Sequence, residues 1–343
     1  MIKLRDQFAV FATFGRPKVD VVDVPSFALG VGAVVLTKAL IYADCRGRQS
    51  LPDYAYRNTL LKGVFMNLEK FSKKSGKAIA KSYLNVVKFS KAFRIFVLAF
   101  LMLMCWWIFT TSIKATTVLA VCVILIVCNH LVVQNQVRQY NKLPYILTAL
   151  LDAEKYLELC QMLNEKIKRT SGMSALNLAN AYYWTGHFDK AKETLEKAVI
   201  NGNKQATTVM DVQYDMVNFN ILAELGDITS CEMLIARMEK RIYDNQNKPK
   251  FTEVLEQFLL NMKAGLAFAK GDFEEYISLD AQHPEAPSKL KHISRQYRLA
   301  LCYEALGSRN MAETYLENTL SENGSLYIQK LAKDKLNKLK GEK

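Results

Sequence analysis

The 343-residue chain lacks the residue spacings on which most metal, redox and hydrolytic chemistry depends. Its seven cysteines (Cys45, Cys105, Cys122, Cys128, Cys160, Cys231 and Cys302) form no C-x-x-C pair, and three of them fall in one apolar stretch. That scatter speaks against a disulfide framework or a thiolate zinc site. It suits a reducing, cytosol-facing setting. The four histidines (His130, His187, His283 and His292) show no H-E-x-x-H spacing. There is no G-x-S-x-G elbow and no phosphate loop, and Gly30-Val31-Gly32 has no third glycine at the dinucleotide offset. The expectation is a non-enzyme with no catalytic residue, no metal and no cofactor. A secretory signal is lacking too. Lys3 and Arg5 precede an apolar run of only Phe8 to Phe14, and no small-residue cleavage site follows.

Acidic residues are scarce in the first half. Residues 1–150 hold 20 Lys and Arg against 6 Asp and Glu, whereas residues 151–343 hold 26 against 27. The net charge of +13 therefore belongs to the first half, beside the most apolar part of the chain. Basic charge in that position reads as membrane topology and contact with anionic lipid headgroups. Nucleic acid is the poorer explanation of it.

Charge is missing altogether from two neighbouring runs, Ile95 to Ile113 and Ala115 to Val133. At 1.5 Å per residue each reaches roughly 30 Å, the thickness of a bilayer's hydrocarbon core. Only Lys114 separates them. The expectation is a transmembrane helical hairpin over 94–137, with spans at 95–113 and 115–134, because only helices and closed barrels satisfy their backbone groups in lipid. The competing arrangement is a buried hairpin in a soluble helical protein. Lys70, Lys73, Lys74, Lys77, Lys81, Lys88, Lys91 and Arg94 precede the first run, and Arg138 and Lys142 follow the second. This asymmetry places both termini in the cytoplasm, and the expected location is the bacterial cytoplasmic membrane. Asn129 and His130 lie near the inner end of the second run, where headgroups account for them better than an ion pathway does.

Residues 1–57 form a small segment whose fold stays open. Val19 to Val24 alternates like a short strand, and Phe27 to Ala43 is apolar apart from Lys38. The latter fits an interfacial or re-entrant helix, with a third span as the alternative. Residues 58–93 read as helix with a break near Gly76; Leu61, Val64, Leu68 and Phe71 recur at helical spacing with lysines between. Such a helix can lie on the cytoplasmic leaflet with Lys70, Lys73, Lys74, Lys77, Lys81 and Lys88 on headgroups. The other arrangement packs its apolar side on the C-terminal domain and leaves the charges in water.

From Leu143 the pattern is helical and repetitive. The stretch Leu178 to Ala198 reads LANAYYWTGHFDKAKETLEKA. Small residues at Ala179, Ala191 and Ala198 let two antiparallel helices approach, and Gly186 relieves the turn between them. With Leu178, Tyr182, Phe188 and Leu195, this stretch resembles the tetratricopeptide repeat. A second match runs through Leu299, Ala300, Tyr303, Gly307, Ala312 and Leu316, departing at Arg309 and Thr319. Weaker copies centre on Gly226 and Gly271. The four turn glycines are 40, 45 and 36 residues apart, against a family period of about 34, so the middle repeats have longer helices or loops. Ala153 to Ile167 looks like the second helix of an earlier, degenerate unit, and Leu326 to Leu339 like a capping helix. The fold class expected is all-α: a transmembrane hairpin plus a C-terminal repeat solenoid over 143–343.

The resemblance implies protein or peptide binding in a concave groove lined by first-helix side chains. By position these are Asn177, Asn180, Tyr183, Asn220, Asn261 and Arg298. Leu176 and Ser294 stand where the family's carboxylate clamp has lysines, so that clamp is not expected. The function expected is a membrane-anchored adaptor or scaffold. One alternative is an accessory subunit of a larger transport or secretion complex. Another is an enzyme, or an enzyme regulator, with its site in residues 1–93. Oligomeric state is left open.

Overall fold

The computed structural model describes residues 72–110, 115–166, 172–201, 208–282 and 288–341. The expected strand, the apolar segment 27–43, Lys70 and Lys114 lie outside the described residues. Thirteen α-helices and no strand occur among the described residues. The chain divides into two compact units, one holding residues 92–133 and the other residues 72–91 with 134–341.

The first unit is built on parts of two long helices, α1 (Gly76–Thr110) and α2 (Ala115–Tyr140). Many of its large apolar side chains face outward, although Val97 and Met104 are buried. Ile95, Met102 and Trp106 are 69–71% exposed, and Leu98, Leu103, Ile124 and Leu131 are exposed as well. Among the described residues one stretch, Ala120–Thr148, is long and apolar enough to cross a membrane, with a mean hydropathy of 1.7. The expected pair of spans is thus met by one such stretch. The first run, Ile95 to Ile113, forms the end of α1 and continues past the described residues.

The second unit begins with the first part of α1, whose start at Gly76 matches the expected break. Ile79, Ala80 and Tyr83 are buried in the main core, and Leu84 and Val87 pack against it. The apolar side of residues 79–87 therefore packs on the repeat unit; Leu61, Val64, Leu68 and Phe71 lie outside the described residues. A Cβ on Gly76 would come within 2.3 Å of the Lys155 carbonyl, so the helix starts in direct contact with its neighbour.

After a short helix α3 (Tyr145–Thr148) and α4 (Ala153–Lys166), four helix pairs follow. They are α5 (Gly172–Trp184) with α6 (Phe188–Asn201), α7 (Thr208–Glu224) with α8 (Ile228–Asp244), α9 (Pro249–Lys270) with α10 (Phe273–Ala281), and α11 (Lys289–Ala305) with α12 (Arg309–Leu320). Each pair turns on one of the expected glycines, Gly186, Gly226, Gly271 and Gly307, all at φ between 74° and 82°. The same chemistry recurs at each turn. The residue after the glycine donates its N–H five residues back, as His187 does to Tyr182, Asp227 to Leu222, Asp272 to Ala267 and Ser308 to Tyr303. This caps the ending helix in a Schellman motif. Asp227 and Asp272 then cap the next helix, accepting from the N–H of Ser230 and Glu275. The long middle spacing has a direct cause: α9 runs for 22 residues.

The last helix, α13 (Tyr327–Gly341), does not simply cover an outer face. Leu326, Ile328, Ala332 and Leu336 share one core with Leu147, Leu151 and Tyr156 near the start of the unit, and with Leu290, Ile293 and Tyr297 of α11. The two ends of the array are thereby joined. At the junction the Ser325 N–H donates to the Leu151 carbonyl at 2.9 Å. Leu151 is buried and sits at φ 56°, a strained position for a residue with a Cβ. A Cβ on Gly324 would come within 2.7 Å of Leu151, so only glycine permits this approach. Lys330 adds an ion pair to Glu154 at 2.7 Å.

Candidate partner-binding face

The first helices of the pairs present six residues expected to line a groove, and they meet different fates. Asn177 on α5 donates to the Tyr140 hydroxyl at 2.7 Å. Asn261 on α9 donates back to the Gln257 carbonyl within its own helix. Tyr183 is buried, at 3% exposure, and donates to Glu224. Arg298 of α11 lies 4.0 Å from the same carboxylate and stacks over Phe268 at 5.6 Å. Asn180 and Asn220, on the neighbouring helices α5 and α7, are half-buried and have no hydrogen-bond partner among the described residues.

Tyr183, Glu224 and Arg298 belong to a polar centre that α13 completes. The Tyr327 hydroxyl donates to Glu224 at 3.0 Å, beside the Tyr183 hydroxyl at 3.3 Å. The Tyr327 ring meets Phe188 edge-on at 5.3 Å and Tyr183 at 6.0 Å, and its Cβ lies against Gly186. Burial pushes both phenols well above their ordinary range, and the Glu224 charge adds to the effect. They remain neutral donors to the carboxylate. Burial works against the Arg298 charge, and the Glu224 carboxylate beside it works in its favour. This arrangement orders three helices around one carboxylate and leaves Tyr183 and Arg298 little freedom to meet a peptide.

Tyr327 and Glu224 were not among the expected site residues. Tyr327 lies beyond the last repeat and 144 positions from Tyr183, and no local pattern marks the pairing.

Residues 174–201 match the Tetratricopeptide repeat family. This segment is a tetratricopeptide repeat. No curated protein matches the chain. The matched tetratricopeptide segment is the α5–α6 pair, in which Ala179, Ala191 and Leu195 are essentially inaccessible and Leu176 and Tyr183 complete a small core. The α11–α12 pair repeats its form with two local adjustments at its departures from the family pattern. Thr319, fully buried, turns its hydroxyl to the Tyr315 carbonyl at 2.8 Å, and Arg309 bonds Glu313.

The basic residues expected at a membrane surface remain solvent-exposed on α1 and just before it: Lys73, Lys74, Lys77, Lys81 and Lys88. Lys77 lies 3.7 Å from Glu158, and its backbone N–H also reaches that side chain. A cavity of about 250 Å³ lies between α1, α2, α4 and α5. No cluster of three or more metal-ligating side chains occurs among the described residues.

Proposed function

We propose that this protein is a non-enzymatic, membrane-anchored adaptor. The apolar stretch of α2, with the end of α1, holds a tetratricopeptide-type array at the cytoplasmic face of a bacterial membrane, and the array binds a protein partner. The observation that carries the reading is the set of large side chains from Ile95 to Leu131 that a folded, fully cored chain leaves exposed. Contiguous apolar surface of this kind is stable only against lipid or another protein. Helical repeat arrays in turn bind proteins across several repeats. Tethering would raise the partner's effective concentration beside the membrane.

Within the array, Asn180 and Asn220 are the groove residues left with unspent hydrogen-bonding capacity, and they are assigned to the partner's backbone. Lys73, Lys74, Lys81 and Lys88 are assigned to anionic headgroups. In cells, the full-length protein should stay in the membrane pellet after alkaline extraction. A cysteine at Thr111 should react with an impermeant maleimide from outside, and one at Glu253 only after permeabilisation. Release by alkali, or the reverse labelling, would sink the anchored reading. Cross-linking should capture a defined protein, and Asn180→Ala with Asn220→Ala should weaken its recovery. Partners that instead depend on residues 95–134 would favour an accessory subunit of a larger membrane complex.

A further inference from the structure

We infer that the 250 Å³ cavity between α1, α2, α4 and α5 receives one acyl chain of a membrane lipid. The inference rests on the membrane reading above and extends it to a specific site. The cavity walls are largely hydrocarbon: Val137, Leu143, Leu159, Leu163 and Met173. None of its described lining residues carries a charge.

Two of the polar groups at the cavity are already partnered: Asn177 donates to the Tyr140 hydroxyl at 2.7 Å. Ser174 is also engaged. Most of the exposed wall is hydrocarbon, and cavities of that character take up hydrocarbon ligands. A ligand that needs no hydrogen bonds fits, and one with a charge does not. The volume suits on the order of eight methylene groups, taking about 30 Å³ for each by analogy with water's share of its liquid.

Two further observations favour a lipid over a free apolar molecule. Gln136, Val137, Tyr140 and Leu143 form one wall, and all four belong to Ala120–Thr148, the stretch apolar enough to cross a membrane. Val137 is 47% exposed, so this wall reaches the protein surface. Arg138 and Lys142 adjoin the same wall residues in sequence and supply positive charge for a phosphate.

The test uses the full-length protein in vesicles of phosphatidylcholine and phosphatidylglycerol. The vesicles carry a trace of phospholipid with a photoactivatable diazirine on its acyl chain. Irradiation followed by peptide mapping should place adducts on Leu159, Leu163 or Met173 as well as on the run from Phe96 to Trp107. Val137→Asp, at the open wall, and Met173→Trp, which fills the space, should each cut the cavity adducts at least fivefold and leave those on the run unchanged. Val137→Asp changes an exposed position, so it serves even if the tryptophan variant fails to fold. Adducts on the run with none in the cavity would overturn the inference while the anchor stands. So would cavity adducts that ignore both variants, or cavity labelling by free diazirine-octanol alone. Adducts on neither would overturn the membrane reading, and this inference with it.

Discussion

Trp106 and Tyr156 are both large aromatic side chains on helices, yet Trp106 is 71% exposed and Tyr156 is 1% exposed. The contrast holds for the units they belong to. In residues 92–133 most bulky apolar residues point outward; in residues 134–341 most of them form four clusters, with most charged residues outside. Both regions are helical and both are rich in Leu, Ile and aromatic residues. What differs is the interruption by charge. The repeat helices alternate apolar and charged faces, so their apolar stripes find one another. The runs around α1 and α2 have no charged face to offer water, and burial of one side leaves the other side still apolar.

The largest expected effect concerns cysteine. Burial pushes the thiols of Cys160 and Cys302 up to about 12 and that of Cys231 up to about 11. At pH 8 the first two then carry about 10³-fold less thiolate than a free cysteine, and their reaction with an aromatic disulfide should be slower by a similar factor until the unit unfolds. The sign of the linked pH effect follows. The folded state holds these protons above the unfolded value of 9.0, so stability should fall as pH rises through 9 towards 11 and 12. Rapid reaction of native Cys302 would break the picture of a closed core.

Next in size is Ile124→Arg, on the exposed side of α2. On membrane-insertion scales it should cost about 3 kcal/mol. The membrane-pelleting fraction should drop, whereas the unfolding midpoint of the repeat unit should not move. Ile293→Ala does the opposite. Ile293 is inaccessible in the core that joins the two ends of the array, so its truncation should cost about 2–4 kcal/mol in chemical denaturation. Leu98→Ala, 60% exposed at the start, should change that stability by less than about 0.5 kcal/mol. Equal losses from Leu98 and Ile293 would erase the distinction between the two regions.

The smallest effect separates two turn glycines. Both Gly186 and Gly226 adopt left-handed backbone, where any other residue costs about 1–2 kcal/mol. A Cβ at Gly226 meets open space, whereas one at Gly186 comes within 3.2 Å of Tyr327. Gly186→Ala should therefore lower the thermal midpoint more than Gly226→Ala does. If the two are equal, α13 does not press on the first repeat.

Much of the repeat fold was legible because its signals are local. A left-handed turn calls for glycine, the following cap calls for a short oxygen-bearing side chain, and Gly226-Asp227 and Gly271-Asp272 supply both within two residues. The break at Gly76 was local in the same way. The candidate groove was legible only as positions. Asn177 and Asn261 found partners inside the chain, Tyr183 and Arg298 were drawn into the centre around Glu224, and Asn180 and Asn220 stayed available. Side-chain commitments of this kind depend on residues far away in sequence, and spacing does not register them.

By itself the sequence determined the helical class, the repeat turns, the uneven charge and the uncharged runs, since each follows from propensity, capping or hydropathy over a few residues. Only the tertiary structure decided that α13 returns to join the start of the array, that the apolar side of residues 79–87 packs inward and its lysines outward, and that a mainly apolar cavity forms beside α2. The physical reason is common to all three. An apolar stripe specifies that it must be covered, and packing among distant helices selects the cover.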